Sequence, residues 1–439
     1  MMKNSDNAIA AFLGVALSGN IYVPLDIDVP SERLNTIINI LHPKFIINCE
    51  EDRILNDIIC PVISWSTIQK SEDNNRGMEK LDRIIDADPL YILFTSGSTG
   101  TPKGVVISHR CVLDFTEEAS EAMDFSQNEN FLNQAPFYFD ASVPDIYCTL
   151  RNGATLHIVD KKMFAFPIKL MDYISENKIN ALYWVPSALI MVANLKALGK
   201  RDISCLKKIM FCGEVMPVKQ LNMWMEAVPD AKYVNYYGPC EATYACSYYV
   251  VDHKFENHES LPIGKAAKNT TIMLVADRKE VKQAGQQGEI YISGSGVGLG
   301  YYNDSERTSM SFVQNPLQHV YPEVVYKTGD LAHYDEEGNI IYDGRADHQI
   351  KHMGYRIELS EIETVVSSLG EISMNCCLYD DKRHRIVLFI EAQMELEDIN
   401  DKIRTYLPEY MLPGKLICVD AMPLNQNGKI DRIKLKELL

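Results

Sequence analysis

The densest group of possible anion-binding residues lies in the stretch YILFTSGSTGTPKGVVISHR, from Tyr91 to Arg110. A strand-like run there leads into a loop of Gly, Ser and Thr, and ordering such a loop costs conformational entropy. The loop offers glycine N–H groups, hydroxyl donors and one lysine, on Thr95, Ser96, Gly97, Ser98, Thr99, Gly100, Thr101, Lys103 and Gly104. Donors that converge after a strand suit a polyphosphate, and a plain surface loop is the alternative.

The spacing of this loop differs from that of a Walker A motif. Gly100 is followed by Thr101, and not by a Gly-Lys pair at the required distance. The segment Thr95–Lys103, called the phosphate loop below, is therefore a candidate of another type.

The elements around the loop alternate between short apolar runs and helical segments. ALYWVPS, LKKIMFCGE, KYVNYYGP and GEIYISG are typical of strands, and CVLDFTEEASEAM and VKQLNMWMEAV of helices. This alternation predicts an α/β fold with packed, mostly parallel sheets covered by helices. The sequence pattern changes after Ile340–Asp347, where Ser360 and Glu363 have the spacing of a capping box. We therefore predict a large domain over residues 1–343 and a small α+β domain over 347–439.

Composition excludes some classes of partner. The chain has 439 residues, 46% of them hydrophobic, and a net charge of −17, which argues against nucleic acid and anionic membranes. Eleven cysteines without metal-binding spacing favour reduced thiols in a cytoplasmic protein. The apolar run Ala8–Leu17 imitates a signal peptide, but no cleavage site follows directly, so we predict a core helix. No apolar run approaches the length needed for membrane insertion.

Five ordered matches resemble the adenylate-forming superfamily, which contains acyl-CoA synthetases, luciferases and peptide-synthetase adenylation domains. LFTSGSTGTPKGVVISH resembles the signature loop of that family, NYYGPCEAT its adenine-binding segment and YKTGDL its ribose-binding segment. YDGRADHQIKHMGYRIELSEIE resembles its hinge and the start of its small domain, and LPEYMLP and PLNQNGKIDR the end of that domain. The resemblance covers Tyr91 to Arg432 and implies a small C-terminal domain that moves on a hinge.

The resemblance implies an ATP site. The phosphate loop would hold the β- and γ-phosphates, Tyr237 would stack on adenine, and Asp330 would accept both ribose hydroxyls. Glu241 would hold Mg²⁺. Without the resemblance these three residues would be a core tyrosine, a turn residue and a salt-bridge partner. The implied nucleotide-binding set is Thr95, Ser96, Gly97, Ser98, Thr99, Gly100, Lys103, Asn235, Tyr236, Tyr237, Gly238, Cys240, Asp330, Tyr342, Arg345 and Lys429.

The resemblance also implies a catalytic lysine and a hinge. Lys429, in NGKIDR, would reach the substrate carboxylate and the α-phosphate, and its cation would offset charge as pyrophosphate leaves. Asp347 would be the hinge about which the small domain turns between an adenylating and a thioester-forming pose. One site would then serve two half-reactions.

Two segments point to a branch of the family. Asp140, in FYFDASVPDIY, stands where members that activate amino acids keep an aspartate for the ammonium group, and a helix cap is the alternative. MFCGEVMP, with Cys212, resembles the D-alanine–carrier-protein ligases, which load the D-alanine used to esterify teichoic acids. The chain ends without a Gly-Gly-x-Ser carrier segment, as expected of a stand-alone ligase. The implied partner is a carrier protein with a phosphopantetheine thiol. A peptide-synthetase adenylation domain and another small-acid ligase are the alternatives.

The resemblance implies a small substrate pocket. Its lining would be Asp140, Ala141, Pro144, Ser187, Met210, Cys212, Tyr236, Tyr244 and Ala245, with Lys429 on the carboxylate. Tyr236 and Tyr244 are bulkier than the threonine and valine expected in D-alanine ligases. We therefore predict D-alanine as the first substrate, with glycine, L-alanine or serine as alternatives.

Two features depart from the family pattern. The segment AFLGVALSGNIYVPLD follows several dozen further residues in relatives, so the large domain is expected to lack its first part. Cys240 stands where relatives have a threonine that meets the α-phosphate, and a thiol is a weaker donor. Both features favour a non-catalytic nucleotide-binding relative. Lys103, Glu241, Asp330 and Lys429 together favour an enzyme.

Overall fold

The computed structural model describes residues 1–50, 60–71, 78–97, 101–256, 259–346, 349–369, 371–372, 374–424 and 430–439. Contacts between residues divide the chain into two compact units. The large unit comprises Met1–Ile27, Phe45–Leu93 and Gly104–Ala346, and the small unit comprises Asp28–Lys44, Phe94–Lys103 and Asp347–Leu439. The small unit therefore contains the described part of the phosphate loop and an early segment as well as the C-terminal part.

The helices of the described residues are α1 Asp6–Leu17, α2 Ser31–Leu41, α3 Trp65–Gln69, α4 His109–Ala122, α5 Ser142–Asn152, α6 Pro167–Glu176, α7 Pro186–Asn194, α8 Val218–Ala227, α9 Ser305–Ser311, α10 Leu359–Ser368, α11 Leu396–Ile403 and α12 Arg432–Lys436. Short 3-10 turns cover Met78–Arg83, Lys161–Ala165, Cys240–Ala242 and Glu409–Met411. None of the described helices is long and apolar enough to cross a membrane.

The strands are β1 Ile46–Asn48, β2 Val62–Ser64, β3 Pro89–Thr95, β4 Lys103–Ser108, β5 Asn130–Asn133, β6 Thr155–Ile158, β7 Ala181–Trp184, β8 Lys208–Phe211, β9 Lys232–Tyr237, β10 Ser247–Val251, β11 Lys265–Ala266, β12 Thr270–Ala276, β13 Lys279–Glu280, β14 Gly288–Gly294, β15 Gly300–Tyr301, β16 Phe312–Gln314, β17 Val324–Tyr334, β18 Ile340–Arg345, β19 Gln349–His352, β20 Tyr355–Glu358, β21 Asn375–Asp380, β22 Arg385–Ile390 and β23 Lys415–Cys418. The strands and helices predicted from the six quoted sequence runs are all present.

The largest sheet has the strand order β11-β10-β9-β8-β7-β5-β6. Pairing is parallel from β9 through β6, and β10 and β11 add antiparallel strands at one side. All four residues of β7 are buried, as is typical of a parallel strand covered on both faces. Pro186 begins α7 after a single intervening residue, in a position where its missing N–H leaves no helical bond unmade.

A second sheet of the large unit is antiparallel, with the order β13-β12-β14-β17-β16 and with β18 on β17. Burial alternates along β14, the strand GEIYISG, as expected when one face meets the core and the other does not. Smaller sheets pair β1 with β2 and place β4 between β15 and β3. The mixed α/β architecture is confirmed: the largest sheet is mostly parallel, the second sheet is antiparallel, and β1 with β2 and β22 with β23 add two further parallel pairs.

The N-terminal apolar run forms α1, which confirms the core helix. Ser5 begins the helix by accepting a hydrogen bond from the N–H of Ala8 at 3.2 Å. Phe12 is buried and stacks on Tyr22 with ring centroids 4.7 Å apart. The helix is thus part of the core of the large unit.

In the small unit, β19 and β20 form a hairpin, and β21, β22 and β23 form a sheet that packs with α10 and α11. The predicted capping box is wrong. Helix α10 is capped at Glu358, two residues before Ser360, without a side-chain hydrogen bond. Glu363 instead binds Arg432 at 2.7 Å and accepts from the N–H of Cys377 at 2.7 Å. The helix begins one residue before Ser360, so Ser360 lies inside the helix and is not its cap.

Candidate active site

The carboxylate of Asp330 is held by two donors from neighbouring strands. The register of β17 and β18 places Asp330 opposite Arg345, whose Nη1 donates to Oδ1 at 2.6 Å. Tyr237, the last residue of β9, donates its hydroxyl to Oδ2 at 2.5 Å. Asp330 is only 2% exposed, so both bonds act in a poorly hydrated environment.

These two hydrogen bonds orient the carboxylate of Asp330 but do not use all of its capacity to accept hydrogen bonds. A carboxylate offers about four lone-pair sites, so each oxygen keeps acceptor capacity for a hydroxyl of a ligand. Burial, and then the charge of Asp330, raise the pKa of Tyr237 well above its ordinary value, so the phenol keeps its proton. The ring of Tyr342 lies 6.3 Å from that of Tyr237, centroid to centroid.

At Gly238, the segment that carries Tyr237 contacts the predicted substrate segment. A Cβ at Gly238 would lie 2.6 Å from the Cα of Ala245 and from the carbonyl oxygen of Tyr244, so only glycine fits. Asn235 fixes the same strand by donating to the carbonyl of Pro262 at 2.7 Å. The predicted adenine and substrate segments therefore touch through their backbones.

Glu241 is fully buried in the 3-10 turn that Cys240 begins. Its Oε1 accepts from the hydroxyl of Tyr301 at 2.7 Å. The described residues contain no group of three or more His, Cys, Asp or Glu side chains that could hold a metal. The single carboxylate of Glu241 would therefore be one ligand of Mg²⁺, and phosphate and water oxygens would be the others.

The predicted substrate residues Asp140, Cys212 and Tyr244 lie together. The thiol of Cys212 contacts the carbonyl oxygen of Tyr244 at 3.7 Å. Burial raises the pKa of Tyr244 most, and the nearby Cys212 and Asp140 raise it further. Asp140 also raises the pKa of Tyr91, after burial. Helix α5 is capped at Ala141 without a side-chain bond, so the alternative of Asp140 as its cap is wrong.

Tyr183 belongs to this group and was missed in the sequence. Its ring lies 6.1 Å from that of Tyr244, edge to face, and 5.9 Å from that of Tyr236. All three are buried, and we call them the tyrosine wall. The local sequence carries no signal for it: the strand register, which the fold decides, places Tyr183 of β7 opposite Met210 of the predicted lining. Ser187 of the predicted lining lies in α7, and its N–H donates to Oε2 of Glu214 at 2.9 Å.

The described part of the phosphate loop belongs to the small unit. The hydroxyl of Ser96 donates to the carbonyl of Arg356 at 2.7 Å and accepts from the N–H of Glu358 at 3.1 Å. The N–H of Gly97 donates to Oε2 of Glu361 at 3.2 Å. Thr95 precedes them at the end of β3, and Lys103 begins β4. The remaining predictions, for Ser98, Thr99, Gly100, Asp347 and Lys429, lie outside the described residues.

The family profile of AMP-binding enzymes matches residues 1–302, so the chain belongs to the AMP-binding enzyme family. Within that family, it is 33% identical to a D-alanine–D-alanyl carrier protein ligase of Bacillus cytotoxicus, over 97% of this chain and 86% of that protein. The corresponding protein of Staphylococcus haemolyticus is also 33% identical, over 98% and 87%.

Solved structures agree with this assignment. IdnL1 superposes with a TM-score of 0.81 at 27% identity, over 96% of this chain and 86% of that one. Holo-PA1221, a peptide-synthetase protein with adenylation and carrier domains, has a TM-score of 0.85 at 25% identity, over 100% and 75%. The resemblance read from the five sequence segments is confirmed.

Proposed function

We propose that this protein uses ATP to activate a small amino acid, D-alanine first, and transfers it to the phosphopantetheine thiol of a carrier protein. The observation that carries the proposal is the placement of Asp140, Cys212 and Tyr244 together, on segments that touch the Tyr237–Asp330 pair through Gly238. The names of the two relatives support the choice of D-alanine and of a carrier protein.

In the first step, the amino-acid carboxylate attacks the α-phosphorus of ATP, a new P–O bond forms, and pyrophosphate leaves. Asp140 would neutralise the ammonium group, Asp330 would accept the ribose hydroxyls, and Tyr237 would lie against the adenine. Lys429 would offset the charge that develops on the reacting oxygens. Glu241 would hold Mg²⁺, which neutralises charge on the phosphates.

In the second step, the carrier thiol attacks the acyl carbonyl of the adenylate, a thioester forms, and AMP leaves. We propose that the part over residues 347–439 turns about Asp347 relative to residues 1–343 between these steps, as the family pattern implies. Lys429 would then serve only the first step. A cytoplasmic location would match the eleven cysteines, none of which forms a disulfide.

A peptide-synthetase adenylation domain for another small amino acid is the second candidate. The tyrosine wall favours it, because three buried phenol rings occupy space that a D-alanine pocket lined by smaller residues would leave open. The similarity to holo-PA1221 is consistent with it. A ligase and such a domain differ in the amino acid that they accept.

The test is amino-acid-dependent exchange of pyrophosphate into ATP, with D-alanine, L-alanine, glycine, D-serine, L-leucine and L-phenylalanine. We expect D-alanine to give the highest rate and glycine to be rejected weakly, since one missing methyl group is worth only about 1 kcal/mol. A preference for L-alanine would support the second candidate. A preference for leucine or phenylalanine would contradict a small pocket, and exchange with none of them would contradict enzymatic activity.

A matched pair of variants locates the ammonium group. Asp140→Asn keeps the shape of the side chain and removes its charge, so exchange should fall by at least about tenfold. Asp160→Asn, which alters the carboxylate that accepts from the N–H of Lys162 at the surface, should leave the exchange rate unchanged. Equal rates for both variants would contradict the role of Asp140.

A further inference from the structure

Glu361 of the small unit is a carboxylate buried against the phosphate loop. It lies in the first turn of α10 and is 1% exposed. Its Oε1 pairs with Nη1 of Arg33, on α2, and its Oε2 accepts from the N–H of Gly97 at 3.2 Å. Arg33 is buried as well. Three segments distant in sequence therefore meet at one carboxylate.

Ser96 anchors the loop to the same place. Its hydroxyl donates to the carbonyl of Arg356 and accepts from the N–H of Glu358, both on β20, the strand that leads into α10. Successive residues of the loop are thus bonded to the segment from β20 to the first turn of α10. The loop is held here by the protein's own groups.

Burial makes Glu361 dependent on its partners. Burial raises the pKa of Glu361, and the charge of Arg33 and the hydrogen bond from Gly97 oppose that rise. A buried ion pair offsets its desolvation only when the remaining polar atoms also find partners. Arg33 satisfies one oxygen and Gly97 the other, so the Gly97 amide stabilises the buried carboxylate.

The same amide is what a phosphate would need. A glycine-rich loop binds phosphate through backbone N–H groups that point at the oxygens. One N–H group has one hydrogen to donate, so a strong bond to Glu361 excludes an equally strong bond to a phosphate oxygen. The carboxylate is itself an anion with two acceptor oxygens.

We propose that Glu361, anchored by Arg33, competes with a nucleotide phosphate or pyrophosphate for the Gly97 amide. This inference rests on the proposed role of the phosphate loop in ATP binding. ATP must displace Glu361 from Gly97, and the carboxylate returns to the amide when pyrophosphate departs. Glu361 is then a positioning residue that promotes pyrophosphate release, and it touches no reacting atom.

Glu361→Gln tests the competition because it keeps the shape and removes the charge. A charge-assisted hydrogen bond is stronger than a neutral one, so the glutamine should compete less well for Gly97. We expect the Kd of inorganic pyrophosphate to fall about tenfold, and the KM for ATP in the exchange reaction to fall with it. Both are measured on the full chain.

Glu363→Gln is the matched control. It lies two residues further along α10 and pairs with Arg432, so it loses an ion pair in the same unit without touching the loop. Its Kd for pyrophosphate should equal that of the unmodified protein. A similar fall in both variants would overturn the proposal, because a general loosening of the small unit would explain it.

If the Glu361→Gln variant does not fold, Glu361→Asp tests the same competition. The aspartate retains the charge for Arg33 but is one methylene shorter, so it should release Gly97 and also bind pyrophosphate more tightly. Unchanged or weaker binding in a folded Glu361 variant would overturn the inference and leave the proposed function intact. Absence of ATP and pyrophosphate binding by the unmodified protein would overturn both.

Discussion

The substitution Tyr237→Phe removes the hydroxyl of Tyr237 and keeps the aromatic ring, so it tests the role of the hydroxyl alone. The ring remains available to lie against adenine, while Asp330 loses the donor at 2.5 Å on Oδ2 and keeps Arg345 on Oδ1. A buried hydrogen bond to a charged group contributes about 1.5–3 kcal/mol. We expect the free energy of unfolding to fall by about that amount.

The same change should weaken nucleotide binding. With one donor missing, the carboxylate of Asp330 is held less firmly in the orientation that faces the ribose hydroxyls. If the binding free energy of ATP weakens by about 1.4 kcal/mol as a result, the KM for ATP rises about tenfold. The rate at saturating ATP should change less, because no reacting atom is touched.

Tyr233→Phe is a control from the same strand. The hydroxyl of Tyr233 is also buried, but it donates to the backbone carbonyls of Trp224 at 2.7 Å and Val228 at 3.0 Å. The hydroxyl has one hydrogen, so this is a single bond shared between two neutral acceptors, and it contributes about 0.5–1.5 kcal/mol. Its loss should lower stability without a change in the KM for ATP. Urea unfolding and the exchange assay measure the two quantities. An equal rise in KM for both variants, or none for Tyr237→Phe, would refute the assignment of Asp330 to the ribose.

Three further predictions address other residues. Lys429→Ala should lose adenylate formation by several orders of magnitude but retain thioester formation from a supplied aminoacyl-adenylate; equal loss in both assays contradicts the two-step assignment. Cys240→Thr should raise the adenylation rate about tenfold to a hundredfold, since a hydroxyl is a better donor to the α-phosphate, and an unchanged rate would mean that the role is already filled. Burial raises the pKa of Asp145 well above its ordinary value, so its contribution to stability is fully present below the unfolded pKa of about 4 and is lost as pH rises through the folded pKa. Asp145→Asn should therefore flatten the fall in the free energy of unfolding between pH 4 and 7 in urea titrations; a fall as steep as that of the unmodified protein contradicts the shift.

The sequence by itself determined the local elements and the residues that motifs identify. The alternating apolar runs specified strands such as β7 and β14, because burial on one or both faces follows from side-chain period within a few residues. The five family segments pointed to Tyr237, Asp330 and Glu241 before any contact was known, since each motif carries its chemistry in adjacent residues.

Only the tertiary structure decided which distant residues share a site. Tyr183 of β7 lies against Tyr236 of β9 and against Tyr244, which follows the 3-10 turn after that strand, and Glu361 meets Arg33 across a separation of 328 residues. The strand GEIYISG pairs antiparallel with both of its neighbours. Its alternating side chains predict a strand, but this alternation does not reveal the direction of the neighbouring strands. Glu363 binds Arg432, which is 69 residues away in the sequence, so the local capping pattern does not reveal this partner. Periodicity and motifs act over a few residues, whereas pairing direction, buried ion pairs and pocket walls depend on segments that only folding brings together.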